Sequence, residues 1–366
     1  MIPRPADGHK PLQAGRFTYN RFLFARKVLF TPNMETLLQQ IINGLVVGSV
    51  YALIALGYTM VYGILGLINF AHGDILMVGA LVALQVVSFL QEHFPAMSPV
   101  LMLLIGLIAA AIACMILGYV IERAAYRRLR NAPRLAPLIT AIGVSFLLQT
   151  LAMIIWGRNY HNFPQLISTA PLQPVEGVFI TPVQIIILVS SALLMGGLIL
   201  LVNKTKLGRA MRATAENHKV AALMGVDTNR IISTTFIIGS GLAAVAGVMF
   251  SSNYGVAHYA MGFTPGIKAF TAAVLGGIGN LGGAMLGGVV LGLVESIGAG
   301  YLGSVTDLCH LPHWLQWASL TDTCSNGGSF ELLSSNYQDI FAFVILGIVL
   351  IFRPTGLLGE RVSDRA

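Results

Sequence analysis

Charge is what this sequence has least of: 10% of its 366 residues are Asp, Glu, Lys or Arg, against roughly 25% in soluble domains. With 55% of residues hydrophobic, that scarcity excludes a water-soluble globule. The apolar residues come in many runs of about 18 or more with no alternation of period two, which suits bilayer-spanning helices and not an outer-membrane barrel. The expected fold is all-α, a polytopic transmembrane bundle of about eight to ten segments.

Catalytic constellations are also lacking. There is no HExxH, no GxSxG, no pair of intramembrane carboxylates and no P-loop, so neither an enzymatic nor a nucleotide-binding role is expected of this chain. Cysteine is scarce, at three. Cys114 sits in the middle of an apolar run and reads as a small hydrophobe. Cys309 and Cys324 share one polar loop, where an oxidising compartment would permit a disulfide worth about 3 kcal/mol to that loop. His310 and His313 lie beside Cys309, but without a second tight cluster no metal site is expected.

The few basic residues are concentrated. All of the 22 Lys and Arg residues except Arg158 and Lys268 fall within residues 4–27, 123–134, 204–230 and 353–365. Lys and Arg near helix ends stay cytoplasmic, so these four stretches are expected on one side, with both termini cytoplasmic. The net charge of +7 then faces anionic lipid and partner proteins; a nucleic-acid partner is not expected.

In chain order, residues 1–35 read as a basic cytoplasmic arm, with Met34 as an alternative start. Residues 36–359 form the membrane domain and 360–366 a cytoplasmic tail. The first helix is expected over about residues 37–56. Glycines at 57, 63, 66, 73 and 79 then interrupt the apolar run, and the stretch 59–70, about 18 Å as helix, is too short for a core of about 30 Å. A broken helix is implied. Residues 158–181, with prolines at 164, 171 and 174, read as an extracytoplasmic loop, and so does the insertion at 302–336. A second broken helix is expected over 265–296, with its arms meeting at residues 276–283. The paired broken regions suggest an internal duplication.

Polar residues at these breaks are the candidate lining of a translocation path. Asn69, His72, Gly73 and Asp74 sit in the first, and Gly276, Gly277, Gly279, Asn280, Gly282 and Gly283 in the second. Ionisable groups at membrane depth are expensive and face the bundle interior or water. The competing role, favoured here, is capping: Asn69 and Asp74 satisfying orphan N–H groups at broken helix ends. The glycines of the second break are expected to serve close helix contact. Lys268 is expected to snorkel to the outer surface, and Glu295 to reach outer water or a neighbouring polar group.

Residues 204–230, KTKLGRAMRATAENHKVAALMGVDTNR, form a polar island. A short amphipathic helix is expected over 207–222, stopped by Gly225. Its alanine-rich face suits a groove on another protein better than lipid.

GRAMRATAENHKVAALMGVDTNRI resembles the cytoplasmic coupling loop of branched-chain amino acid ABC transporter permeases. GLINFAHGDILMVGA, VLGGIGNLGGAMLGG and FRPTGLLG resemble three further signatures of that family. The resemblance implies a bacterial inner-membrane importer subunit that pairs with a homologous permease and two cytoplasmic ATPases and is loaded by a periplasmic binding protein. No cofactor is implied on this chain, since ATP and Mg would bind the ATPases. It further implies alternating access, driven through coupling residues Gly208, Arg209, Arg212, Ala213, Glu216, Asn217, Ala221, Ala222, Gly225 and Val226. Urea and short amides are the alternative substrates, and a stand-alone channel or ion-coupled carrier the alternative mechanism.

Overall fold

The computed structural model describes residues 32–130, 132–133, 135–175, 177–305 and 338–359. Residues 1–31 of the expected arm, the Cys309–Cys324 pair with nearly all of its loop, and the tail at 360–366 lie outside the described residues. The helices are α1 (Pro32–Leu65), α2 (His72–His93), α3 (Pro99–Ile121), α4 (Leu135–Trp156), α5 (Pro182–Lys204), α6 (Lys206–Glu216), α7 (His218–Leu223), α8 (Thr228–Tyr254), α9 (Phe263–Gly276), α10 (Leu281–Val305) and α11 (Gln338–Phe352). A π-helical turn, Glu122–Tyr126, prolongs α3. Two small antiparallel ladders complete the described fold: β1 (His161–Asn162) with β4 (Val256–Ala257), and β2 (Leu172–Val175) with β3 (Val178–Ile180). Seven of the described helices are long and apolar enough to cross a membrane; α9, at 14 residues, and α11, at 15, are shorter.

Burial follows the logic of a protein whose solvent is lipid. On α3, Gly106, Ala110, Cys114 and Gly118 recur every fourth residue and are buried, while Leu104, Ile108, Ile112 and Ile116 point outward. Without a hydrophobic gain to drive helix association in a bilayer, small residues at the contact let backbones approach and large ones are left to the acyl chains. Cys114 is buried, as the small hydrophobe expected, with its Sγ 3.4 Å from the Ile75 carbonyl.

The centre is α1 packed antiparallel along α10. Gly44, Gly48 and Ala52 face Gly292 and Gly288; a Cβ on Gly288 would meet the Ala52 Cα and N at 2.5 Å. Overfilling so close a backbone contact costs about 1–3 kcal/mol or more, so Gly288→Val is expected to lower the melting temperature of the detergent-solubilised chain by several degrees. Gly347→Val, where a Cβ meets nothing within 4 Å, is the control and should leave it unchanged.

One sequence expectation is corrected. α1 does not break at Gly57 or Gly63 and continues unbroken to Leu65. Those glycines are contact points: a Cβ on Gly57 would strike the His72 ring, and one on Gly63 would touch Gly279. Gly66, at φ +65°, is the residue that ends the helix, because an L side chain is disfavoured in that conformation. Gln39, near the start of α1, exchanges hydrogen bonds with the Phe179 backbone, at the same end of the bundle as residues 158–181. The residues after α11 bond Leu275 and Gly276 at the opposite end, beside α6. The first and last described residues therefore lie at opposite ends of the bundle, and the termini themselves, 1–31 and 360–366, lie outside the described residues.

Candidate functional site

The first corner spans residues 66–71, between α1 and α2. The capping expected of Asn69 and Asp74 does not occur there. Ala71 occupies the N-cap position with no side-chain bond, and its carbonyl accepts from the Asp74 and Ile75 amides. The Gly73 backbone meets the Tyr58 hydroxyl from α1. With the orphan donors satisfied by backbone and a phenol, the polar side chains reach sideways to other helices. Asn69 Oδ1 accepts from the Tyr126 hydroxyl at 2.8 Å, tying the corner to the π-helical turn after α3. Asp74 Oδ1 accepts from Gln149 Nε2 of α4 at 2.9 Å, with Ser145 also bonded to it. His72 is buried in edge contact with Tyr58, ring centroids 4.8 Å apart. Tyr126 and Gln149 were not singled out in the sequence; Gln149 lies within an otherwise apolar run, the one local signal it gives, while Tyr126 sits in the charged stretch ERAAYRRLR and gives none.

Beside this corner a cavity of about 320 Å³ opens between α1, α2, α4 and α9, walled by Tyr58, Phe70, Gly73, Ser145, Phe146 and Ile267 among others. Its lining is nearly all apolar, and the buried Asp74, next to Gly73 in the chain, is not itself on the wall. An apolar chamber with a few convergent polar groups is the usual form of a small-molecule site.

The second corner lies where the sequence put it. α9 ends at Gly276, Gly277 and Gly279 take φ of +105° and +96°, and α10 starts at Leu281. Here Asn280 does cap, its Oδ1 accepting from the Gly283 amide at 3.1 Å. Its Nδ2 donates to the Leu358 carbonyl at 2.9 Å, while the Leu357 and Leu358 amides donate to the Leu275 and Gly276 carbonyls. FRPTGLLG is thus a strap across the corner. The packing role expected of the glycines holds for Gly276 and Gly283, whose backbones touch, whereas a Cβ added to Gly279 would meet nothing within 4 Å and one on Gly282 only Asn280.

Lys268 does not snorkel. It is 4% exposed and donates to Glu295 Oε1 at 2.6 Å, to the Tyr51 hydroxyl at 3.2 Å and to Asp339 Oδ1 at 2.5 Å. Two carboxylates from α10 and α11 hold the ammonium inside, where the outer surface could offer only water. A second buried pair, Glu122 with Arg130, joins the turn after α3 to α8, since Glu122 Oε2 also accepts from Ser233 at 2.6 Å. Burial draws the Arg130 guanidinium below its usual range and Glu122 pushes it back.

At the same end, residues 204–230 form two helices where one was expected. Asn217 leaves helical geometry at φ −156° and its side chain caps α7, accepting from the Lys219 and Val220 amides. Competition of this kind between side chain and backbone is why Asn breaks helices and starts them. Thr205 caps α6, Gly225 turns the chain at φ +84°, and Asp227 caps α8. Gly208, Met211 and Thr214 anchor α6, and Ala221 anchors α7. Arg209, Arg212, Ala213, Glu216, Asn217, Ala222 and Gly225 are exposed, and Val226 is half-buried. Sequence reasoning missed the tip: Leu223 is 85% and Met224 80% exposed, next to exposed Val220.

Residues 40–351 match the family model described as branched-chain amino acid transport system, permease component. The chain belongs to that family. This permease is 44% identical to the high-affinity branched-chain amino acid transport system permease protein BraD of Pseudomonas aeruginosa, over 90% of this chain and 98% of the relative. It is 40% identical to the LivH permease protein of Salmonella typhimurium and 39% identical to LivH of Escherichia coli K12, each over 88% of this chain and 96% of the relative. No solved structure matches it. It is a multi-pass membrane permease, a transport subunit of a branched-chain amino acid system.

Proposed function

We propose that this permease forms the translocation path of an ATP-driven importer of leucine, isoleucine and valine in a bacterial inner membrane. In this reading it pairs with a second permease of the same kind and with two cytoplasmic ATPases that carry the ATP and Mg, and a periplasmic binding protein delivers the substrate. The observation that carries the reading is the projecting tip of α7. Large apolar side chains so far exposed mark a contact surface, and this one stands among Arg209, Arg212 and Lys219 at the bundle end that, among the described residues, also holds Arg123, Arg127, Arg128, Arg130 and Arg353. By the distribution of Lys and Arg that end is cytoplasmic, so α1 starts on the periplasmic side. The names of the relatives supply the substrate class.

Movement of α6 and α7 has a direct route to the corners. Met211 and Arg212 share a cleft with Gly63 and Gly279, so a push on α6 reaches both the end of α1 and the second corner. The first corner, linked through Tyr126 to α3, and the apolar chamber beside it would then be exposed alternately to either side. Profiling the ligands of the binding protein encoded beside this permease tests the substrate: it should take leucine, isoleucine or valine, and binding of urea or short amides in their place would refute the assignment.

A further inference from the structure

At the far end of the bundle a second cavity, of about 290 Å³, opens between α1, α5, the end of α8 and α10. Its lining is mixed where the first chamber's is apolar. Glu295, Gln184 and Asn253 contribute polar groups, and Val46 and Val47 an apolar wall. Glu295 is 6% exposed. Its Oε1 takes Lys268 and Tyr51, but among the described residues no donor meets Oε2. A buried carboxylate oxygen without a donor is costly. The local charge points the same way: Lys268 is one cation between Glu295 and Asp339, which leaves one negative charge in excess. Gln184 has its Oε1 committed to the Thr181 amide, so what it can offer a ligand is N–H.

We propose that this cavity is a reception site for the free α-amino acid on the outer side of the permease. The α-ammonium group binds the Glu295 carboxylate once a small side-chain rotation brings the buried Oε2 to the cavity wall, the α-carboxylate takes N–H from the Gln184 and Asn253 amides, and the branched side chain lies on Val46 and Val47. An inorganic cation would satisfy the carboxylate and leave the amides and the valine wall unused. The assignment rests on the importer reading above and adds to it a place where substrate is held before the apolar chamber at the first corner.

The test uses the full permease complex in nanodiscs, without binding protein, and measures equilibrium binding of L-leucine and of 4-methylpentanoate, which lacks the ammonium group. Glu295→Gln leaves Lys268 paired with Asp339, so the variant keeps its charge compensation; Val47→Phe fills the cavity from the other wall. Wild type should bind leucine saturably and more tightly than 4-methylpentanoate. In Glu295→Gln leucine should bind about tenfold or more weakly, as expected for loss of a charge-assisted bond, and the preference over 4-methylpentanoate should vanish. Val47→Phe should weaken both ligands. Absence of saturable leucine binding to wild type, or wild-type affinities in both variants, overturns the site. If that happens while the complex with binding protein and ATP still transports leucine, the importer reading stands without it; failure of the wild-type complex to transport leucine rejects the reading itself.

Discussion

Replacing Leu223 and Met224 together by aspartate is expected to lower ATP-driven leucine uptake by about a hundredfold or more while leaving the yield and monodispersity of the permease unchanged. The two side chains are 85% and 80% exposed, so charge there disturbs no packing within this chain. A docked interface is different. Apolar anchors buried in a partner's pocket are worth about 2–4 kcal/mol each when lost, and carboxylates forced into that pocket add desolvation. Ala221 is the internal contrast: it is buried against the bundle, and Ala221→Asp should reduce yield as well as transport. Gly225 acts by a third route. A Cβ there meets nothing within 4 Å, but its φ of +84° makes any L residue strained by roughly 1–2 kcal/mol, so a bulky replacement should misdirect the tip and uncouple hydrolysis from transport without unfolding the membrane part. Uptake, ATPase rate and co-purification of the ATPases, measured on the same samples, separate these outcomes. Wild-type uptake by the aspartate pair would refute the docking role.

Lys268→Met should be among the most destabilising single changes in the protein. It removes the ammonium held by Glu295 and Asp339 and leaves the buried Glu295 carboxylate facing only Tyr51. Breaking a buried pair from one side costs about 3–5 kcal/mol, because an uncompensated charge remains, whereas replacing both partners by apolar groups is often neutral. Asp339 is about half exposed and can be hydrated, so the penalty falls on Glu295. The double variant Lys268→Met/Glu295→Met should therefore recover most of the thermal stability lost in the single one. A double variant as unstable as Lys268→Met would mean that packing around the lysine stem, and not charge, holds α9 to α10.

The parts of the fold that were legible in the sequence are those where one residue type has one physical meaning. Runs of apolar residues marked the spanning helices, and the second corner was placed correctly because Gly277, Gly279 and Asn280 are all suited to a sharp turn. Gly57 and Gly63 misled for the same reason in reverse: glycine serves close approach as readily as a break, and only the His72 ring on α2 and Gly279 in the second corner decide between the two. Lys268 was misplaced because its partners are 27 and 71 residues further along the chain. Asn69 and Asp74 were identified as candidates, but their partners Tyr126 and Gln149 belong to other helices, and pairings at such separation leave no trace in local spacing. Asn217 was placed inside a helix where, as a good capping residue, it starts a new one; the exposed Leu223 and Met224 followed from that second helix and were hidden without it.

The most direct measurement is uptake of labelled leucine into proteoliposomes that contain this permease, its partner permease and the two ATPases, with binding protein supplied outside and ATP sealed inside. Accumulation against a gradient that needs all of these components, and that isoleucine and valine suppress, is the predicted result. Leucine entry that proceeds without the ATPases, or accumulation that leucine, isoleucine and valine do not share, would contradict it.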